Sequence, residues 1–514
     1  MGMNVGHLLS ASVARFADKI ALIQDDRKVS YRDFNNRVNT LANKLLQLDV
    51  RKGDKASLYL HNSIEWAEIY FALSKIGAVV VPINFRLKGD ELIHIARNSD
   101  SKILFFDLDL HQNIEVVKHE LTGIALFIAL GNNHSETYVS YQQLFDESFN
   151  EEPDVCVSEG DIHSICYTSG TTGLPKGAVL TNINIIMGHY LLNPVEYNIR
   201  SDDITLATTP FSQRIGWGKI VTSTSLGSTL VIMPSFDAEE VMKITEKERV
   251  TNISMVPTIG RMILQLPNIE SYDTSSMTKF FVSGESFPVE LKKQLIEKFP
   301  HAELLGVLGS TEAGQITIMK TEDVLKKPDS AGYPVSCVEV QIVDEEGNEV
   351  CTGEIGEIAV RSGKPGMYCV MKEYFNDPEY NKKVFLDDWF RTGDMGRLDD
   401  DGYLYVVDRK KDMIISGGFN IYSREVEAVL ESNKKVSEAA VIGVPDEKFG
   451  ESVMAFVALK KGEEIEVDEL IGYCKTRLAS YKKPRYIEFI DSLPRNAAGK
   501  ILKYKLKQEK DGVS

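Results

Sequence analysis

Residues 167 to 177 read Tyr167-Thr168-Ser169-Gly170-Thr171-Thr172-Gly173-Leu174-Pro175-Lys176-Gly177. No other stretch narrows the fold as far. Glycine at 170, 173 and 177 permits backbone conformations and close approaches that a Cβ would block. The hydroxyls of Thr168, Ser169, Thr171 and Thr172 and the Lys176 ammonium add donors to a backbone whose N–H groups can face outward. Concave donor surfaces of this kind bind anions, and a polyphosphate suits this one. The apolar run 162–166 before it reads as a strand feeding the loop. It is not a Walker loop, which ends in Gly-Lys-Ser/Thr; here Pro175 precedes Lys176 and Gly177 follows. A plain surface linker would not need a Pro-Lys-Gly end fixed after Thr-Thr-Gly.

The rest of the chain supplies a frame for such a loop. Apolar runs at 20–24, 55–60, 79–82 and 102–107 read as strands, and the stretches 31–48 and 65–76 carry helical periodicity. The rhythm returns with strands at 229–233, 252–256, 279–283 and 302–308. Strands separated by helices predict parallel sheets covered on both faces. From about residue 330 the spacing shortens, with strands at 338–343, 357–361 and 403–407, which predicts a small barrel or distorted sheet. The charged break Asp408-Arg409-Lys410-Lys411-Asp412 precedes a compact α+β pattern of about 100 residues. A domain boundary is expected there, dividing 1–408 from 409–514.

At 514 residues the chain is too long for one core. A net charge of −17 argues against a nucleic-acid partner. The charge is uneven: Lys410 to Ser514 holds 19 basic and 17 acidic residues, so −19 lies upstream. Positive contacts to anionic ligands must therefore be local. Six scattered cysteines with no C-x-x-C pair fit a reduced, cytoplasmic setting and give no zinc or disulfide framework. No apolar stretch is long enough to span a membrane, and neither terminus reads as an address signal.

Two further motifs end predicted strands. Gly309-Ser310-Thr311-Glu312 puts hydroxyls and a carboxylate at the C-terminal edge of a sheet, where α/β proteins bind ligands. A carboxylate beside phosphates suits Mg²⁺, which prefers oxygen donors; a helix N-cap is the plain alternative. Ser283-Gly284-Glu285-Ser286 also follows a strand.

Together these segments, with Trp389-Phe390-Arg391-Thr392-Gly393-Asp394 and Pro494-Arg495-Asn496-Ala497-Ala498-Gly499-Lys500, closely resemble the signatures of the adenylate-forming superfamily. That superfamily includes acyl-CoA synthetases, peptide-synthetase adenylation domains and luciferases. The resemblance covers nearly the whole chain. It implies a large N-terminal domain of two doubly wound α/β sub-domains plus a small β-barrel-like sub-domain, then a small, rotating α+β C-terminal lid. It also implies roles. Residues 168–173 and Lys176 would cradle ATP phosphates, Thr311 would contact phosphate, and Glu312 would hold Mg²⁺. Ser283, Gly284 and Glu285 would lie at adenine beside Gly309 and Ser310, Asp394 would accept from the ribose diol, and Arg409 would reach ribose and phosphate. Lys411 sits at the hinge position. Gly417 and Gly418 resemble the loop lining the pantetheine tunnel. Lys500, which composition alone would leave as a solvated residue in a basic tail, matches the catalytic lysine. Leu308 stands where the family usually stacks a Tyr on adenine.

The acid is less legible. Pro210-Phe211-Ser212-Gln213-Arg214-Ile215-Gly216-Trp217 has Gln213 and Arg214 where acyl-CoA synthetases commonly carry a His and an apolar residue. Amino-acid-activating relatives place Asp near here to bind the substrate ammonium, so Arg214 disfavours an α-amino acid. A buried Arg214 could bind a second carboxylate or a polar acyl substituent; a structural arginine paired with a nearby acid is the competing expectation. Phe211, Trp217, Val256 and Val307 would wall an apolar pocket. The expected activity is ATP- and Mg²⁺-dependent ligation of a carboxylic acid to CoA. A ligase loading a carrier protein's phosphopantetheine and a catalytically inactive binding relative are the alternatives.

Overall fold

The computed structural model describes residues 3–131, 137–147, 149–168, 174–284, 287–495 and 501–511. The chain divides into two compact units, Met1–Val340 with Val360–Phe390, and Gln341–Ala359 with Arg391–Ser514. The boundary expected after Asp408 falls inside the second unit.

The first unit holds two large sheets. In one, the strands Glu303–Ser310, Lys279–Ser283, Asn252–Met255, Ile204–Ala207, Thr229–Ile232 and Ile20–Gln24 lie side by side in that order and run parallel. In the other, Ile162–Thr168, Val79–Ile83, Lys55–Tyr59, Ser101–Asp107 and Leu126–Leu130 do the same. Helices join these strands, as the alternating pattern predicts. One of them, Ile64–Ile76, starts at Ser63, whose side chain accepts from the Trp66 N–H, and stops at Gly77, where φ is +68°. Its residues are apolar on nearly every side, and nearly all are buried. The buried aromatic side chains Trp66, Tyr70 and Phe71 each contribute on the order of 2–3 kcal/mol of burial.

Both sheets depart from the parallel expectation toward their edges, and in each one such antiparallel pairing falls at a phosphate-type motif. Lys176–Thr181 pairs antiparallel with Ile162–Thr168, and Gly314–Met319 pairs antiparallel with Glu303–Ser310. The connections are too short for a parallel crossover, which needs a dozen or more residues. The two phosphate-type motifs therefore lie on β-hairpins, and no helix follows Thr311 for Glu312 to cap.

Mostly in the second unit, Glu339–Val343, Gly356–Arg361, Trp389–Leu398 and Leu404–Arg409 form the small sheet expected from the shortened spacing. Beyond it, Phe419–Ile421, Ile414–Ser416, Gly450–Leu459 and Val436–Asp446 make an antiparallel sheet, with Tyr486–Phe489 parallel on Gly450–Leu459. Val426, Leu430, Leu470 and Cys474 from its helices pack against Val441, Ala455 and Val457.

Candidate active site

Four neighbouring strands of the first unit end together. At or just past their C-terminal ends lie Pro210–Arg214, Val256, Ser283–Gly284 and Val307–Glu312 in sheet order. Ser283 and Val307 are register partners. At Gly284 φ is +93°, and a Cβ there would touch Val256 Cγ1 at 3.4 Å. The candidate adenine segment and the candidate acyl wall are thus adjacent. A register shift between Leu308 and Gly309 places a bulge at the motif itself, a device that re-aims side chains next to sites. Gly309 is required there: a Cβ would meet the Gly314 carbonyl oxygen at 2.4 Å.

Glu312 is held from two directions. Thr168 Oγ1 donates to its Oε1 at 2.8 Å and Tyr374 OH donates to the same oxygen at 2.9 Å. The Met371 N–H donates to the Glu312 carbonyl at 2.6 Å. Thr168, at the end of the first strand of one hairpin, and Glu312, in the turn of the other, are therefore in contact. Lys176 stands opposite Thr168 in register; its Nζ lies 3.0 Å from Asp377 Oδ2 and 3.8 Å from the Tyr380 ring centroid. Ser310 Oγ accepts from the Ala313 N–H at 3.0 Å and closes the turn. Ser169, Gly170, Thr171, Thr172, Gly173, Glu285 and Lys500 lie outside the described residues.

Arg214 opens the helix Arg214–Leu226 and is buried. Its Nη1 donates to the Thr311 carbonyl at 2.7 Å. Burial lowers its pKa, opposed by Cys369, Cys166 and Glu312. It pairs with a backbone carbonyl of the phosphate-type turn and with no carboxylate among the described residues. This differs from the acid partner expected of a structural arginine, because a carbonyl can satisfy a guanidinium where no acid reaches. Gln213 is half-buried, and its carbonyl accepts the N–H groups of Gly216 and Trp217 that start the helix. Phe211 and Trp217 are fully buried: Phe211 packs edge-on against Trp66 at 5.4 Å between ring centroids, and Trp217 stacks on Tyr70 at 5.8 Å. They back the wall, while Val256 and Val307 are only partly buried. Polar atoms are buried here too. The Gln315 amide, Tyr70 OH and His189 Nε2 find no partner among the described residues.

In the second unit, Asp394 and Arg409 are register partners on antiparallel strands, with Arg409 Nε 2.6 Å from Asp394 Oδ1. Nε lacks hydrogen-bond alignment, so the contact is an ion pair. Thr392 Oγ1 accepts the Asp394 N–H at 3.1 Å and donates to the Ile358 carbonyl at 2.8 Å, which fixes the turn at Gly393, where φ is +74°. Glu357 was missed by the sequence reading; its carboxylate binds Arg391 at 2.6 Å and Lys410 at 3.1 Å. Lys411 lies in the short turn Lys410–Asp412, and burial lowers its pKa, with Arg409 and Lys503 adding to the effect against Asp412. Gly417 and Gly418, at φ +58° and +82°, make a two-residue hairpin turn of the kind that needs positive φ at both positions.

Tyr374 and Asp377 were also missed. The dipeptide Asp377-Pro378 carried a readable signal, an N-cap followed by proline at N1, and Asp377 does cap the helix Pro378–Val384. Nothing in the sequence revealed that Tyr374 reaches Glu312 or that Asp377 reaches Lys176.

The comparisons agree with this geometry. The family of AMP-binding enzymes matches residues 9–375, and the AMP-binding enzyme C-terminal domain matches residues 425–500. A feruloyl-CoA synthase of Amycolatopsis sp is 36% identical over 92% of this chain and 92% of its own length. A long-chain-fatty-acid–CoA ligase of Mycobacterium tuberculosis is 35% identical over 94% and 93%. Among solved structures, an anthranilate CoA ligase in complex with anthranoyl-AMP superposes with a TM-score of 0.92 at 28% identity, covering 100% of this chain and 98% of that one. The chain belongs to the AMP-binding enzyme family, as an AMP-forming acid–CoA ligase.

Proposed function

We propose that this ligase activates an aromatic carboxylic acid bearing a polar substituent, at the joined ends of the two hairpins. The acid's carboxylate attacks the α-phosphorus of ATP, the bond to pyrophosphate breaks, and acyl-AMP forms. The CoA thiolate then attacks the acyl carbonyl and AMP leaves. The observation that carries the site is the double hydrogen bond on Glu312 Oε1 from Thr168 and Tyr374, which fixes a carboxylate beside the phosphate-type loop.

Glu312 is an oxygen donor of the type Mg²⁺ takes, fixed in place by neutral donors, so the residues present fit the ion. When bound, Mg²⁺ would neutralise charge on the phosphates. Thr311 and Lys176 supply donors to phosphate while the Thr168 hydroxyl holds Glu312, Asp394 orients the ribose, and Lys500, matched by resemblance, bridges carboxylate and α-phosphate as charge shifts. The turn at Lys411 is the hinge of the C-terminal lid, and the Gly417-Gly418 turn leaves room for pantetheine.

The acid class rests on the wall. Val256 and Val307 provide apolar surface, while the buried Gln315 amide and His189 Nε2 offer hydrogen bonds that a saturated chain would leave unmade. Pyrophosphate release across a panel of hydroxylated or amino-substituted aromatic acids, unsubstituted aromatic acids and saturated fatty acids tests this. The polar aromatic acids should rank first; preference for a saturated chain would reject the assignment.

A further inference from the structure

Tyr374 and Asp377 lie on one short segment that reaches both charged groups of the hairpin site. The strand Glu373–Tyr374 pairs antiparallel with Lys176–Thr181, placing Tyr374 opposite Ala178. Residues opposite in register share a face, and so do residues two apart along a strand. Thr168, Lys176, Ala178 and Tyr374 therefore present side chains on one face of the sheet, and the Glu312 carboxylate lies on that face, in contact with Thr168 and Tyr374.

This arrangement contains a hazard. Thr168 and Lys176 are directly opposite, with Cβ atoms about 5 Å apart, and Thr168 touches Glu312 at 2.8 Å. A lysine side chain is long enough to cross that gap. Lys176 and Glu312 carry opposite charge, and a pair between them would neutralise both the carboxylate and the ammonium that the nucleotide needs. Among the described residues they form no ion pair. Lys176 is turned instead to Asp377, at 3.0 Å, and lies over the Tyr380 ring, and Glu312 Oε1 is taken by two neutral donors. Asp377 is held ionised for this, its pKa lowered first by the Lys176 hydrogen bond.

We infer that residues 373–381 act as a charge separator: Asp377 and Tyr380 draw Lys176 aside while Tyr374 fixes Glu312, so the two groups do not quench each other before nucleotide binds. Asp377 and Tyr374 are thus positioning residues. The inference rests on the reading that Glu312 and Lys176 face Mg²⁺-nucleotide.

The test uses calorimetric binding of ATP to the full chain, with Mg²⁺ and with the metal chelated. Asp377→Asn keeps a good helix N-cap, so folding is preserved, and removes only the charge. Simple electrostatics predicts that losing a negative charge tightens ATP binding. The separator predicts the opposite: MgATP binding weakens about fivefold or more as Lys176 turns to Glu312, the worth of one partly buried pair, and metal-free ATP binding weakens less, because there only the Lys176 ammonium is lost. Lys176→Met should abolish that effect of Asp377→Asn, because the quenching partner is gone. Tyr374→Phe should also weaken binding only when Mg²⁺ is present. Unchanged or tighter MgATP binding in Asp377→Asn, or the same loss in the Lys176→Met background, overturns the inference. A Glu312→Gln variant that binds MgATP like wild type would instead remove the reading beneath it.

Discussion

Arg214 connects two segments of the candidate site at the level of a single bond. Its guanidinium holds the Thr311 carbonyl, so it ties the start of the helix Arg214–Leu226 to the turn that carries Glu312. Arg214→Leu leaves that carbonyl without its charged donor, a loss of about 1–3 kcal/mol. We expect adenylation, followed by pyrophosphate release, to fall about tenfold or more, with the ranking of acids unchanged. A reordered ranking would make Arg214 a substrate contact. Lys219, on the same helix, is buried over the Phe281 and Tyr197 rings, and burial lowers its pKa to about 8. Below that value both folded and unfolded chains hold the proton; between about 8 and the ordinary lysine value of about 10.4 only the unfolded chain does. Stability from this group therefore rises with pH across that window. Lys219→Met should raise the melting midpoint by about 2 °C or more at neutral pH, and the gain should shrink as pH is raised towards 10. A gain independent of pH would place its cause elsewhere. Residues of the candidate site were legible where a motif carried them, as with Thr168 and Glu312, which the structure brings into contact. Their partners were not, because Tyr374 and Glu357 act through sequence-distant strand pairing that no local pattern encodes.

Elements were easier to find than to orient. Lys279–Ser283 and Ile20–Gln24 match the expected strands end to end, and the others shift by a residue or two at their ends. The direction of pairing at the two motifs differed from expectation, since apolar periodicity marks a strand without saying which way its neighbour runs. Loop length held the missing information: short connections force hairpins. The hairpin at 303–319 also makes a demand of its own. With the Gly314 carbonyl 2.4 Å from a hypothetical Cβ, Gly309→Ala must open the bulge that aims Thr311 and Glu312. Nucleotide binding should weaken about tenfold while far-UV circular dichroism is unchanged; wild-type affinity would mean the bulge adapts freely. Gly216 is tighter still, its Cβ position 2.0 Å from the Pro210 carbonyl oxygen. Gly216→Ala should cost stability as well as activity, read as a lower melting midpoint.

At the scale of the molecule, the α/β class and the shorter-spaced second half were legible from the spacing of apolar runs, because each unit buries its own core. Ile253, Phe280 and Leu304 belong to one core of the first unit, and Val441, Ala455 and Val457 to one core of the second. Scanning calorimetry should therefore resolve two transitions, and the Val441→Ala substitution should lower only one of them, by a cavity cost of about 1–3 kcal/mol. A single transition lowered as a whole would show that the units unfold together. The ladder that sets Thr168 against Lys176 carries a consequence for how such enzymes can diverge. Both ends of the intervening segment are pinned by strand pairing, so residues could be gained or lost between them without shifting the register of either strand. A hairpin built this way can change the length of its loop across generations while its anchors, and the fold around them, stay fixed.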